Sequence, residues 1–223
     1  MPSATGEPGA SDTMRGWKFL ERGRVAPFGG HVWPAPGVGA PGEWIQPAGG
    51  EVFACRISDL PWWVNAELWE VELEAPIRTL PTQIAGRRGR LLRRMVGWDE
   101  VALRAYGVAC AERARDLTVS ILLHEGRSAD ADALLKTRSP LELYRVAQGL
   151  AADETTPGAT MVGYIAAAAL RAAGGTGAAA AHHSADVATI ADGTPGALER
   201  EIEWQARWIA ERAGLFTPAV AAL

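Results

Sequence analysis

Cysteine, long apolar runs and excess basic charge are the features that this chain has little of. Two cysteines in 223 residues are too few for a disulfide framework, and we expect Cys55 and Cys110 to be buried thiols in a reducing compartment. No apolar run reaches the ~18 residues that a membrane-spanning helix needs. The first residues also lack the basic and apolar stretches of a signal peptide. The sequence therefore predicts a cytoplasmic protein without membrane contact.

The net charge of −4 excludes the global basic field that draws proteins onto nucleic acids or anionic lipids. The paired glycines, such as Gly29-Gly30 and Gly174-Gly175, lack the spacing of phosphate-binding loops. We find no catalytic motif, so the catalytic residues are unknown, and we expect no cofactor and no metal. His182, His183 and Asp186 offer an incomplete ligand set, because adjacent helical residues point in different directions.

Composition changes along the chain. The 14 prolines and nine tryptophans concentrate before residue 100, and the chain after Trp98 is rich in alanine. Proline-rich segments disfavour helices, and strands followed by helices are typical of the α+β class. We therefore predict a small antiparallel β layer in the N-terminal half, packed on a C-terminal helical bundle.

The predicted organisation has four parts. Residues 1–13 are expected to be a disordered tail, 14–97 a β-rich domain with many tryptophans and prolines, 98–215 a helical domain, and 216–223 a second tail. Whether the two halves form one domain or two is left open by the sequence.

Strands are predicted at Trp17–Leu20, Glu51–Arg56 and Leu68–Leu73, with a short helix from Pro61 to about Asn65 capped by Ser58 or Asp59. The strand at Leu68–Leu73 has the clearest alternation, with an apolar face and a mostly glutamate face that we expect to be exposed to solvent. Residues 85–97, rich in arginine and glycine, are interpreted as a basic connector.

Helices are predicted from Trp98 to about Leu123, from Pro140, and at 160–173, 178–191 and 194–212. Ser139 and Glu142 suggest a capping box for the helix that begins at Pro140. Gly214 is expected to cap the last helix, on which Leu198, Ile202 and Ile209 form an apolar stripe.

One block of the N-terminal half has a familiar pattern. Val52 to Cys55, Leu60 to Trp63 and Leu68 to Leu73 resemble a family of uncharacterised bacterial and phage proteins with a Gly-x-His-Ala-Cys strand and a strand ending in Val-Glu. The resemblance extends over roughly residues 16–98 and matches actinobacterial-type members most. It implies no activity. Glu51 and Phe53 depart from the pattern, since they stand where the family has glycine and histidine.

Two groups of side chains are the candidate sites. Four tryptophans are candidate interaction residues, because buried tryptophans anchor many protein interfaces: Trp62, Trp63, Trp204 and Trp208. Five arginines form a candidate anion or phosphate patch, because guanidinium groups bind phosphate bidentately: Arg87, Arg88, Arg90, Arg93 and Arg94.

Three functions from different classes fit these observations. The first is a non-catalytic interaction or structural protein with a protein partner or with itself as partner, and we favour it because catalytic signatures are missing. The second is an enzyme whose site gathers scattered residues such as Arg87, Arg88, Glu72 and His31. The third is nucleic-acid binding through the arginine cluster, against which the acidic net charge argues.

Overall fold

The computed structural model describes residues 13–47, 50–150 and 156–216. Their contacts divide the chain into two compact units. Unit 1 comprises the chain up to Trp63 together with Glu67–Met95, and unit 2 comprises Val64–Ala66 and the chain from Val96. The strands belong to unit 1 and the α-helices to unit 2, so the predicted α+β class is confirmed.

Unit 1 contains two three-stranded antiparallel sheets and one 3₁₀ helix. The first sheet has the order β1-β3-β6 and the second the order β2-β5-β4. The strands are β1 Thr13–Leu20, β2 Val52–Ala54, β3 Glu67–Glu74, β4 Arg78–Leu80, β5 Gln83–Gly86 and β6 Gly89–Arg94. Trp17 and Cys55 form an antiparallel bridge that links β1 to the chain just after β2.

The core of unit 1 follows from the alternation along β3. Trp69, Val71 and Leu73 lie on one face and pack with residues of both sheets. Their buried partners include Leu20, Trp33, Val52, Ile84 and Leu91. The strand predicted at Leu68–Leu73 is confirmed, with one further residue at each end.

The interpretation of 85–97 as a connector was wrong, because most of its residues belong to β5 and β6. Arg90 and Arg93 pair with Glu72 and Glu70 across the β3–β6 ladder. These pairs stabilise β6, a strand with many charged side chains, beside the central strand β3. The predicted solvent exposure of the glutamate face of β3 was also wrong. Glu70 and Glu74 are buried, because arginine side chains cover their carboxylates.

The short helix of unit 1 also differs from its prediction. It is a 3₁₀ helix at Ile57–Trp62 and begins four residues before the predicted start. Asp59 lies inside its first turn and accepts hydrogen bonds from the backbone N–H and the guanidinium of Arg56. Strand β1 begins at Thr13, and the remainder of the predicted N-terminal tail lies outside the described residues.

Unit 2 contains the helices α1 Glu100–His124, α2 Ser128–Leu135, α3 Pro140–Leu150, α4 Pro157–Ala173, α5 Gly177–Asp192 and α6 Ala197–Ala213. The sequence had predicted all of them except α2. Ser139 caps α3 as expected, since its Oγ accepts a hydrogen bond of 3.2 Å from the N–H of Glu142. Gly214 caps α6 with a φ of 70°, a conformation that glycine adopts without strain.

The apolar stripe predicted on α6 was only partly right. Ile209 is buried, but Leu198 is exposed and Ile202 is half-buried. The buried face of α6 instead contains Glu201 and Gln205, whose polar atoms bond to residues of α1 and α5.

Candidate functional site

Three aromatic residues, Phe28, Trp62 and Trp63, form what we call the aromatic platform: Phe28 and Trp63 make a ring pair, and Trp62 precedes Trp63 in the chain. Phe28 stands on the turn at residues 27–29. The N–H of Gly30 donates to the carbonyl of Ala26 at 2.9 Å, and a φ of 64° at Gly30 suits glycine. The turn leaves the side chain of Phe28 87% exposed, which is unusual for a large apolar group.

Phe28 is nevertheless held in place by a neighbour. Its ring meets that of Trp63 edge-to-face, with centroids 6.1 Å apart and planes at 86°, an arrangement that aromatic pairs favour. The indole N–H of Trp63 donates to the carbonyl of Thr82 at 2.8 Å, and its backbone N–H donates to Leu60. Trp63 is therefore fixed at both its backbone and its ring.

Trp62 ends the 3₁₀ helix beside Trp63 and is 39% exposed. The base of this helix is rigid, because the guanidinium of Arg56 binds the Asp59 carboxylate at 2.7 and 2.8 Å. The same group donates to the carbonyls of Leu80 and Pro81. The platform thus presents apolar rings on a pre-organised support, which lowers the entropic cost of binding.

The other two candidate tryptophans have a different environment. Trp204 lies under the guanidinium of Arg113, 4.6 Å from its ring centroid. Trp208 packs against Tyr106 with a centroid distance of 5.4 Å. Both rings are half-buried and make contacts within unit 2. Of the other two, Trp62 is exposed, and Trp63 is half-buried and pairs with the exposed Phe28.

All five arginines of the predicted anion patch pair with glutamates of β3. Arg87 and Arg88 bind Glu74, Arg90 binds Glu72, and Arg93 binds Glu70, at 2.5–2.6 Å; Arg94 is 3.9 Å from Glu67. Arg15 of β1 reaches Glu70 from the other side at 3.2 Å. We call this arrangement the arginine–glutamate ladder.

The ladder has electrostatic consequences at Glu74. Hydrogen bonds from Arg88 and Arg87 lower the pKa of Glu74 to about 2, because they stabilise the charged carboxylate. Arg90 and Arg88 also lie over the ring of Trp44, at 4.5 and 5.5 Å from its centroid. The guanidinium groups therefore serve mainly to fix the sheet, and these pairings argue against a free phosphate-binding patch.

A buried polar network crosses the helices of unit 2. Glu201 is 1% exposed and accepts hydrogen bonds from Arg113 at 2.6 Å, Ser184 at 2.9 Å and Gln205 at 3.2 Å. The hydroxyl of Tyr106 donates to Gln205 at 3.0 Å. Sequence reasoning missed this network; the one available signal was that Glu201 and Gln205 share a face of α6, four residues apart.

The residues of the proposed scattered enzyme site are not gathered into one site. Arg87 and Arg88 are bound to Glu74, while Glu72 accepts from Arg90 and Thr13. His31 is exposed and stacks on Trp33, with ring centroids 5.9 Å apart. These groups are held by separate partners, so the geometry offers the enzyme hypothesis no support.

The two thiols are poor nucleophiles in the folded protein. Burial raises the pKa of Cys55 to about 12, and burial together with the nearby Glu201 carboxylate raises that of Cys110 further. Because the thiolate is the reactive form, neither residue is suited to covalent catalysis. Within residues 13–47, 50–150 and 156–216, no group of three or more histidines, cysteines or carboxylates is placed to hold a metal ion.

Comparison of the chain with protein-family models finds no match, and searches of curated proteins and of solved structures find no significantly similar protein. The resemblance to the uncharacterised bacterial and phage family therefore stays a prediction. None of the described helices combines the length and the apolarity that crossing a bilayer requires.

Proposed function

We propose that this protein is a non-catalytic interaction protein that associates with a polypeptide through the aromatic platform. The observation that carries the proposal is the exposed Phe28 ring, held edge-to-face by Trp63 beside the partly exposed Trp62. Aromatic side chains on a fixed support are typical anchors of interfaces.

The occupant that we propose for the platform is a second copy of this chain. Acidic residues clearly outnumber basic ones in unit 2, whereas the two signs are nearly balanced in unit 1, where Arg56 lies next to the platform. Unit 2 also exposes aliphatic side chains, among them Val101, Leu123 and Leu170. A copy of the chain thus offers apolar surface to the aromatic rings, and the near-neutral unit 1 and acidic unit 2 do not oppose each other with strong like charges.

The size of the platform predicts a weak complex. Phe28 and Trp62 together expose on the order of 250 Å², judged from the 150–250 Å² that such side chains bury and from their exposed fractions of 87% and 39%. A stable interface needs roughly 800 Å² on each partner. We therefore expect a dissociation constant on the order of 1–100 μM, supported by polar contacts at the rim.

The experiment is sedimentation velocity of the full chain over a concentration series from about 1 to 300 μM. The wild type should shift from a monomer to a larger species, and Phe28→Ser should raise the dissociation constant at least tenfold, as expected for an anchor residue. Val38→Ser is the matched control, because Val38 is fully exposed on unit 1 but belongs to a separate turn at Gly37–Ala40.

Two results would count against the proposal. A wild type that stays monomeric at the highest concentration contradicts self-association. If Phe28→Ser and Val38→Ser weaken assembly equally, or not at all, the assembly does not depend on the platform. Far-ultraviolet circular dichroism of each variant shows whether a loss of assembly comes from unfolding.

A further inference from the structure

The aromatic platform is assembled from segments of unit 1 that lie far apart in the sequence. Phe28 belongs to the turn at residues 27–29, and Trp62 and Trp63 lie at the end of the 3₁₀ helix. A third segment, the turn between β4 and β5, supports them, since the carbonyl of Thr82 accepts the indole hydrogen bond of Trp63. Local sequence does not fix how such segments lie relative to one another, so tertiary contacts must hold them.

Arg56 connects two of these segments with a single side chain. Its Nε and Nη2 donate to the carboxylate of Asp59, inside the 3₁₀ helix, at 2.7 and 2.8 Å. The same Nη2 donates to the carbonyls of Leu80 and Pro81 at 3.1 and 2.9 Å, where β4 ends and the turn begins. The guanidinium group therefore holds the helix against the turn.

The connection continues from the turn to the rings through the indole of Trp63. Thr82 directly follows Pro81, and its carbonyl accepts from Nε1 of Trp63 at 2.8 Å. The ring of Trp63 in turn meets that of Phe28 edge-to-face, with centroids 6.1 Å apart. Hydrogen bonds weaken steeply when their geometry is lost, so a turn that moves away from the helix would release the indole and leave Phe28 without its support.

The geometry around position 56 suits arginine and does not suit lysine. The side chain of Asp59 is 4% exposed, so its carboxylate needs charged donors from the protein. A planar guanidinium offers several N–H groups in fixed directions, and Arg56 uses them for the carboxylate and the turn carbonyls together. An ammonium group has one nitrogen and cannot reproduce this arrangement, so a lysine here would keep the charge and lose the connection.

We propose that Arg56 is a positioning residue of the aromatic platform, an inference that rests on the proposed function. Arg56 acts through the turn at residues 81–82 and the indole of Trp63, and it fixes the rings before a partner arrives. Rings that are already fixed avoid the entropic cost of being ordered on binding. Loss of the connection therefore weakens association even when Phe28, Trp62 and Trp63 are themselves unchanged.

The test compares Arg56→Lys with the matched control Arg78→Lys. Arg78 also binds a carboxylate with two nitrogens, at 2.8 and 2.5 Å from Glu51, and it also belongs to unit 1. The first measurement is amide hydrogen exchange by mass spectrometry at about 0.5 μM, below the dissociation constant that we expect. Residues 26–31 and 57–63 should exchange at least about fivefold faster in Arg56→Lys than in the wild type, with β3 unchanged. Arg78→Lys should match the wild type in both segments.

A second variant addresses the other end of the connection. Trp63→Phe keeps an aromatic ring opposite Phe28 but removes the N–H that binds Thr82. Exchange in residues 26–31 should rise in this variant as well, although the contact of Arg56 with Asp59 is intact. The result for the connection thus does not depend on how well Arg56→Lys folds.

The second measurement is sedimentation velocity of the same variants. Arg56→Lys should raise the dissociation constant at least about threefold and Arg78→Lys should leave it unchanged, while Phe28→Ser should have a smaller effect in Arg56→Lys than in the wild type, because coupled residues are not additive. Wild-type exchange rates or a wild-type dissociation constant in Arg56→Lys would overturn the positioning role. A wild type that never associates would instead contradict the proposed function itself, whatever the exchange rates are.

Discussion

Glu201→Gln is the substitution that most sharply tests the buried network of unit 2. Glu201 is 1% exposed, and its carboxylate accepts from Arg113, Ser184 and Gln205. The substitution keeps the size of the side chain but leaves the Arg113 guanidinium without its counterion. It also places an amide N–H against donors that need an acceptor.

The expected loss in the free energy of unfolding follows from the burial of Glu201 and Arg113. Removing one partner of a fully buried ion pair costs about 3–5 kcal/mol. The Arg113 side chain is 35% exposed, so water compensates part of the loss, and we expect a decrease of about 2–3 kcal/mol in the free energy of unfolding of unit 2. For a chain of this size that corresponds to a fall of roughly 4–12 °C in Tm.

The assay is urea and thermal unfolding followed by circular dichroism at 222 nm, which reports mainly on the helices of unit 2. Glu203→Gln is the matched control, because Glu203 lies on the same helix and pairs with Arg207 at 3.1 Å, but its side chain is 71% exposed. Such surface pairs contribute less than about 0.5 kcal/mol. A Glu201→Gln variant no less stable than Glu203→Gln would refute the assignment of the network as a stabilising feature.

Three further predictions concern other parts of the chain. The pKa of Glu74 is lowered from 4.5 to about 2, so the contribution of Glu74 to stability is complete above pH 4.5 and is lost as the pH falls toward 2. The difference in urea midpoint between wild type and Glu74→Gln should therefore shrink over that range. A difference that stays constant would contradict this prediction. Both cysteine thiols should react with a thiol-specific disulfide reagent at least ~100-fold more slowly in the folded than in the unfolded protein, and rapid reaction of either would show that it is accessible. Gly97→Ala should lower the free energy of unfolding by about 1–3 kcal/mol, because the new Cβ would lie 2.5 Å from the Arg212 carbonyl oxygen, whereas Gly163→Ala, which meets nothing within 4 Å on α4, should be neutral or stabilising.

Features that depend on local sequence were predicted well. The strand around Val71 follows from strict alternation, and the starts and ends of helices at Ser139 and Gly214 follow from capping chemistry. In each case the residues that determine the structure lie within a few positions of one another.

Features that depend on distant partners were not predicted. Strand β6 contains too many arginines to be recognised as a strand, and its stability comes from glutamates of β3 that lie 18–23 residues earlier. The buried carboxylate of Glu201 depends on Arg113, 88 residues away. Charged residues indicate exposure unless a partner neutralises them, and sequence spacing does not reveal that partner.

At the candidate site, too, local sequence features were predicted and contacts between distant segments were not. Trp62 and Trp63 were predicted as interaction residues, but Phe28 was not among the candidates. Its exposure and its contact with Trp63 arise where two segments more than thirty residues apart in sequence meet. Trp204 and Trp208 were selected on composition, and their contacts with Arg113 and Tyr106 depend on how α6 packs against α1.

Native mass spectrometry of the purified chain over a dilution series tests the central proposal most directly. We predict a dimer or a larger integer multiple of the 23.7 kDa monomer at high concentration, which dissociates on dilution and is much reduced in Phe28→Ser but not in Val38→Ser. A bare monomer at every concentration would contradict self-association through the aromatic platform.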